Sequence, residues 1–143
     1  MKKVLLLSTL FLTFVISNLH AQTYTVGELN YSFNGESVTL IGHVDGSYAH
    51  GQIIIPESIM IMGISYPVTA VADSAFYECS GLNGALVIPN TVHTIGNWSF
   101  YYCHFTSLTL SNTLTSIGDG AFCACTEIHG PLTIPESVEH IGA

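Results

Sequence analysis

The amino-acid sequence predicts a β-rich solenoid, a fold in which short strands and turns recur at a fixed period and stack along one axis. Three features recur every 22 to 24 residues: a phenylalanine, a cysteine three positions later, and an isoleucine followed by glycine. Their members are Phe76, Phe100 and Phe122; Cys79, Cys103 and Cys125; and Ile95, Ile117 and Ile141. A constant period between about 20 and 50 residues is typical of stacked repeats. We therefore expect these residues to form structural ladders along the stack.

Each repeat also contains a candidate strand. Leu86–Pro89 and Leu132–Pro135 share the pattern Leu-x-Ile-Pro, and Leu108–Ser111 occupies the equivalent place. Proline lacks an amide hydrogen, so it can end a strand and set up the turn that follows. Gly96 and Gly118 suit a tight bend or a left-handed backbone. One repeat buries too few apolar side chains to offset the entropy of ordering it, so neighbouring repeats must stack.

The first residues have the pattern of a signal peptide. Lys2 and Lys3 precede an uncharged, mostly apolar run at Val4–Ile16, and a small residue, Ala21, marks the expected cleavage point. This run is too short for a spanning helix and fits an export signal. The predicted organisation is a signal peptide at 1–21, an N-terminal β cap with an irregular first repeat strand at 22–66, and repeats at 67–143, the last one truncated. The mature chain is expected to be secreted or held at the cell surface, without membrane insertion.

The predicted cap begins with a β-hairpin. Tyr24–Phe33 and Glu36–Ile41 have the composition of strands, and Asn34-Gly35 between them is a strong hairpin-turn signal. Gln52–Pro56 is expected to be the first, irregular copy of the repeat strand.

The distribution of charge excludes several partners. Lys2 and Lys3 are the only cationic residues apart from histidine, whereas all ten acidic residues lie beyond residue 21. Nucleic-acid binding requires cations that neutralise phosphates, and attachment to an anionic bilayer has the same requirement. The composition therefore favours neutral or basic partners and excludes nucleic acid.

The sequence gives little support for a metal site or a catalytic site. The cysteines and histidines that come closest to a zinc-ligand set lack its paired spacing, and the cysteine ladder explains two of them without a metal. These residues are Cys103, His104, Cys123, Cys125 and His129. No nucleophile, zinc-protease or phosphate-loop motif occurs. The sequence accordingly predicts a non-enzymatic protein with no catalytic residues, no cofactor and no metal.

Two other ladders have structural interpretations. Asp73, Asn97 and Asp119 recur after the bend and either cap turns with their side chains, which we favour, or bind calcium. The laddered cysteines are expected to be inward-facing free thiols, because neighbours that point the same way are poorly placed to form disulfides. Cys123, two residues before Cys125, is expected to be exposed.

The densest aromatic cluster is the best candidate for a binding site. Trp98 aligns with Ser74 and Gly120 in the neighbouring repeats, and Tyr102 also lies at a position that accepts polar or small residues. Exposed aromatic side chains are effective anchors for protein or sugar ligands. We predict a ligand patch at Trp98, Tyr101 and Tyr102, with local packing over a loop as the alternative.

The full repeat pattern, L-x-I-P-x-[ST]-V-x-x-I-G-x-x-[AS]-F-x-x-C, resembles the BspA-like leucine-rich-repeat proteins. The matching stretches are Leu86–Cys103, Leu108–Cys125 and, in part, Leu132–Gly142. These are secreted or surface proteins of Bacteroides-type bacteria. The resemblance implies a right-handed leucine-rich-repeat solenoid, with parallel strands that form a sheet along one face and are joined by short turns or 3-10 segments. It also implies adhesion to host proteins or other cells.

Three functional hypotheses follow. The first is a secreted or cell-surface binding and adhesion protein whose partner is a protein on a host or another cell, or a neutral glycan. The second is a truncated repeat fragment that self-associates through an open C-terminal end. The third is a glycan-binding accessory module.

Overall fold

A computed structural model describes residues 22–143 of the chain. The predicted signal peptide at residues 1–21 lies outside the described residues. The strands are β1 Gln22–Val26, β2 Leu29–Phe33, β3 Val38–His43, β4 His50–Gly51, β5 Ser58–Ile61, β6 Ile64–Val71, β7 Gly81–Val87, β8 Thr94–Ile95, β9 His104–Thr109, β10 Ser116–Ile117 and β11 His140–Ile141. A short 3-10 helix, Gly46–Tyr48, lies between β3 and β4. Within the described residues, no helix is long and apolar enough to cross a membrane.

The N-terminal region is an antiparallel meander. β1 pairs with β2, and β2 with β3. The prediction of one strand over Tyr24–Phe33 is wrong, because a two-residue turn divides it; Gly27 has φ 61° at the first turn position, where glycine is typical. At the second turn the Asn34 Oδ1 accepts hydrogen bonds from the amides of Glu36 (2.9 Å) and Ser37 (2.8 Å). Asn34 therefore fixes the turn that joins β2 to β3.

Beyond the meander, apart from the antiparallel β5–β6 hairpin, the strands are parallel and follow one another through successive coils. The larger sheet has the order β1-β2-β3-β6-β8-β10-β11, with β5 paired to β6 at the side. From β3 onward each neighbour along this order is parallel. A second, three-stranded sheet has the order β4-β7-β9 and is also parallel. This is the β-rich leucine-rich-repeat architecture, with parallel strands and short turns.

A row of phenylalanines occupies the core. The rings of Phe76 and Phe100 stack with centroids 5.3 Å apart and an interplanar angle of 3°, and Phe100 and Phe122 repeat this at 5.4 Å and 6°. Phe105 meets Phe100 edge-on at 5.8 Å. Phe76, Phe100 and Phe105 are fully buried, whereas Phe122 is partly buried. The period of the sequence thus appears in three dimensions as a column of parallel rings.

The laddered cysteines hold adjacent coils together through their thiols. Cys103 Sγ donates to the Phe76 carbonyl (3.2 Å) and Cys125 Sγ to the Phe100 carbonyl (3.0 Å). Cys79 makes the same kind of bond to the carbonyl of Gly46 at 3.3 Å. All three are free thiols. Burial raises the pKa of each of them.

The isoleucine ladder lies in the short parallel strands. Ile95 pairs with Ile117, and Ile117 pairs with Ile141. Ile95 and Ile117 are buried, whereas Ile141, in the last coil, is 55% exposed.

Gly96 and Gly118 are required by close approach. Neither has a positive φ, so the alternative of a left-handed backbone is wrong for both. A Cβ atom on Gly118 would lie 2.5 Å from the Asn97 amide nitrogen, and one on Gly96 would collide with the backbone at Ala72 and Asp73. The coils therefore touch here through their backbones.

Two predicted repeat strands lack a strand ladder. Ile53 and Ile55 in Gln52–Pro56 are buried, but β4 ends at Gly51. The Gln52 side-chain amide donates a hydrogen bond to the Ala85 carbonyl (3.2 Å). Leu132–Pro135 is also outside any strand, and Leu132 and Ile134 are exposed.

Candidate binding surface

A row of left-handed residues positions the candidate surface. Two positions per coil have φ between 53° and 60°. The first position holds Ser74, Trp98 and Gly120, and the second holds Glu78, Tyr102 and Ala124. A left-handed backbone is unfavourable for residues other than glycine, by about 1–2 kcal/mol each. Interactions elsewhere in the fold must therefore offset the cost of this left-handed conformation.

Backbone hydrogen bonds between coils provide that restraint. The amide of Trp98 donates to the Asp119 carbonyl (2.8 Å), and the amide of Tyr102 donates to the Cys123 carbonyl (3.0 Å). The amide of Glu78 bonds in the same way to the Tyr101 carbonyl, at 2.9 Å. Each turn is thus bonded to the next coil, independently of its side chains.

The side chains at and beside these positions form an aromatic surface, which we define as Tyr77, Trp98, Tyr101, Tyr102 and His104. Tyr77 stacks on Tyr101 (4.9 Å, 17°), and Trp98 meets Tyr101 edge-on (5.5 Å, 74°). Tyr102 is tilted against Tyr101 at 6.3 Å and contacts His104 at 5.5 Å. The structure therefore brings together the predicted residues Trp98, Tyr101 and Tyr102.

Sequence reasoning missed Tyr77 and His104. The signal for Tyr77 was present, because Tyr77 and Tyr101 each directly follow a laddered phenylalanine. His104 begins β9, and the sequence placed it only among candidate metal ligands.

The aromatic surface is open to solvent. Tyr77 and Trp98 are 42% exposed and Tyr102 is 47% exposed, whereas Tyr101 is half-buried beneath them. The Trp98 indole lies over Gly120: a Cβ atom there would be 2.5 Å from the indole carbons Cε3 and Cζ3. Glycine in the next coil therefore gives the indole room to lie against the backbone.

A cavity of about 290 Å³ adjoins these rings and is lined by Glu78, Ser80, Tyr101 and Tyr102. Glu78 is exposed, and its carboxylate accepts a hydrogen bond from the Tyr77 hydroxyl. Partial removal from water, followed by the charge of Glu78 and the neighbouring Tyr101, raises the pKa of the Tyr77 hydroxyl. The surface thus combines aromatic faces with negative charge.

The Asp73, Asn97 and Asp119 ladder joins coils. Asp73 Oδ1 accepts the amide of Asn97 (2.7 Å), and Asn97 Oδ1 accepts the amide of Asp119 (2.8 Å). Asp119 Oδ1 accepts the amide of Ala143 at 3.1 Å. In each residue one side-chain oxygen accepts a hydrogen bond from a backbone amide of the next coil.

The candidate zinc residues are not brought together. Across residues 22–143, no three His, Cys, Asp or Glu side chains converge as a metal site would require. Cys103 belongs to the buried ladder, whereas Cys123 is exposed.

Two further cavities lie at the ends of the stack. One of about 360 Å³ is lined partly by Tyr31, His43 and Ile53 in the N-terminal region. The other, of about 290 Å³, is lined by apolar side chains of the last two coils, including Leu132 and Ile134.

The chain resembles known proteins in both sequence and structure. A sequence profile of the BspA type leucine rich repeat region matches residues 52–143, in six copies. The structure resembles that of a leucine-rich repeat protein from Bacteroides capillosus ATCC 29799, with 31% identity, a TM-score of 0.71, and coverage of 83% of this chain and 86% of that one. No curated protein matches the chain.

Two longer proteins have the same fold. A leucine rich cell surface protein from Faecalibacterium prausnitzii A2-165 is 26% identical with a TM-score of 0.69, over 84% of this chain and 32% of that one. The leucine rich repeat protein of T. pallidum is 25% identical with a TM-score of 0.69, over 85% of this chain and 54% of that one. This chain therefore spans about a third and about half of these two relatives. From the repeat profile and the shared architecture, the chain belongs to the BspA-type leucine-rich-repeat family.

Proposed function

We propose that the chain is a non-enzymatic, secreted or cell-surface adhesion protein that binds proteins on a host or on other cells through the aromatic surface. Repeat solenoids present extended surfaces, and binding through them is the common use of this architecture. Membership of a family of bacterial surface proteins supports the location, and the Faecalibacterium relative is itself a cell surface protein.

The observation that carries the proposal is the presence of large exposed aromatics at positions where the fold needs none. Ser74 and Gly120 occupy the turn position of Trp98, and Ala124 occupies that of Tyr102. The inter-coil hydrogen bonds at these positions use the backbone only. Tryptophan and tyrosine at such positions add binding area with little conformational entropy to lose, which is typical of interaction hot spots.

The test is binding of fluorescently labelled protein to intact epithelial and bacterial cells. We expect saturable binding that disappears when the cells are pretreated with protease. The double change Trp98→Ser and Tyr102→Ser should weaken binding at least tenfold, since each hot-spot aromatic contributes about 2 kcal/mol or more.

The matched control removes exposed apolar side chains elsewhere, with Met60→Ser and Ile64→Ser on the β5–β6 hairpin. This control should bind as the unchanged protein does. Equal binding by both double variants would refute the proposal. Binding that survives protease but is lost after glycosidase treatment would replace the protein partner with a glycan.

A further inference from the structure

We infer that Glu78, Tyr101 and Tyr102 form a subsite for the guanidinium group of an arginine side chain on the protein partner. The inference rests on the proposed function, because it names the chemistry by which the aromatic surface engages that partner.

The backbone brings these three residues to one place. The amide of Glu78 donates to the Tyr101 carbonyl (2.9 Å), which couples the turn of one coil to the aromatic pair of the next. The amide of Ser80 donates a hydrogen bond to the Glu78 carbonyl (2.9 Å), which forms a tight turn at Cys79 directly after Glu78. The cavity of about 290 Å³ lies between these elements. The residues that line it are Glu78, Ser80, Tyr101 and Tyr102.

The rings offer faces to a cation. One face of Tyr101 stacks on Tyr77, the ring of Tyr102 lies 6.3 Å from that of Tyr101 at an angle of 35°, and the Tyr102 side chain is exposed. A cation within about 6 Å of a tyrosine centroid is attracted by the negative ring face. The Glu78 carboxylate adds a full negative charge at the same cavity.

A permanently charged cation must come from another molecule. Residues 22–143 contain no lysine or arginine. The ion pairs formed within those residues join His43 to Glu28 and to Asp45, in the N-terminal region. Glu78 thus has no ionic partner in the described part of the chain, although it lies beside rings that favour a cation.

Arginine fits this lining better than lysine. A planar guanidinium can stack on a tyrosine ring while its edge donates two parallel hydrogen bonds to a carboxylate. A lysine ammonium is a compact, strongly hydrated charge and cannot do both. The subsite is therefore assigned to guanidinium.

The test is an NMR titration of the isotope-labelled protein with N-acetyl-arginine amide. N-acetyl-citrulline amide, which has the same shape without the charge, is the matched probe, and N-acetyl-lysine amide tests the choice of cation. We expect the arginine probe alone to shift the amide signals of Glu78, Tyr101 and Tyr102. Glu78→Gln should weaken its binding about threefold to tenfold, and Tyr102→Leu by a similar factor. Glu36→Gln, which makes the same charge change in the β2–β3 turn, should leave binding unchanged.

Equal shifts from arginine and citrulline, or an equal effect of Glu78→Gln and Glu36→Gln, would overturn the subsite. Equal binding of lysine and arginine would overturn the assignment to guanidinium. These failures are distinct from failure of the proposed function: cell binding that depends on Trp98 but not on Glu78 would leave the adhesion proposal intact and remove only the subsite.

Discussion

Replacing Phe100 by leucine tests whether the stacked phenylalanines stabilise the solenoid as the structure indicates. Phe100 is fully buried and has ring contacts with Phe76 (5.3 Å), Phe122 (5.4 Å) and Phe105 (5.8 Å). Each aromatic pair contributes about 0.5–1.5 kcal/mol beyond the burial of area, so Phe100→Leu should lower the free energy of unfolding by about 1.5–4.5 kcal/mol.

Phe122→Leu is the matched control, because it makes the same chemical change in the same ladder. Phe122 is only partly buried and contacts Phe100 in the stack. Losing one aromatic pair should cost about 0.5–1.5 kcal/mol. The double variant should be less destabilised than the sum of the two single variants, by about the value of the shared pair.

The assay is urea unfolding followed by far-ultraviolet circular dichroism and by fluorescence of Trp98, the single tryptophan. The two signals should give one midpoint if the stack unfolds cooperatively. A cost of Phe122→Leu equal to or larger than that of Phe100→Leu would refute the reasoning, because the phenylalanine at the centre of the column would then contribute no more than its neighbour.

Four further predictions concern stability. Cys103→Ala should cost about 1–3 kcal/mol in urea unfolding, because it removes a buried donor to a carbonyl, whereas Cys123→Ala at an exposed site should change stability by less than about 0.5 kcal/mol. Burial raises the pKa of the Cys103 thiol, so at alkaline pH the folded chain keeps a proton that the unfolded chain loses. The free energy of unfolding should therefore fall as pH rises above roughly 8.5, and it should fall less steeply in Cys103→Ala. The buried Tyr31 hydroxyl has no hydrogen-bond partner within residues 22–143, so Tyr31→Phe should stabilise the protein by about 1 kcal/mol at pH 7, and a loss of stability there would contradict this. Because burial raises the pKa of Tyr31 to about 12, the same change should also reduce the loss of stability above roughly pH 10. Gly118→Ala should lower the melting temperature, at a cost of about 1–3 kcal/mol, because the new methyl group meets the Asn97 backbone; an unchanged melting temperature would show that the coils can separate freely.

The sequence predicted the ladders because periodicity reports directly which positions are equivalent. Phe76, Phe100 and Phe122 recur at the spacing of one coil, and in the structure their rings stack. The same alignment placed Trp98 and Tyr102 at positions shared with small or polar residues, and both side chains are exposed. Equivalence between repeats is thus visible without a structure.

Other features depended on contacts that one repeat does not reveal. Gly118 is required by the Asn97 backbone of the preceding coil, and sequence spacing cannot distinguish such an approach from a left-handed turn. Gln52 donates a side-chain hydrogen bond to the Ala85 carbonyl, 33 residues away in the next coil. Tyr77 and Tyr101 share the place after a laddered phenylalanine in the sequence, but the stacking of their rings across coils is visible only in the structure.

The central claim is that the aromatic surface binds a protein partner, and the concentration of labelled protein that half-saturates cells tests it most directly. We predict that this concentration rises at least tenfold for the Trp98→Ser and Tyr102→Ser double variant while the Met60→Ser and Ile64→Ser variant remains at the value of the unchanged protein. Half-saturation at the same concentration for all three proteins would contradict the claim.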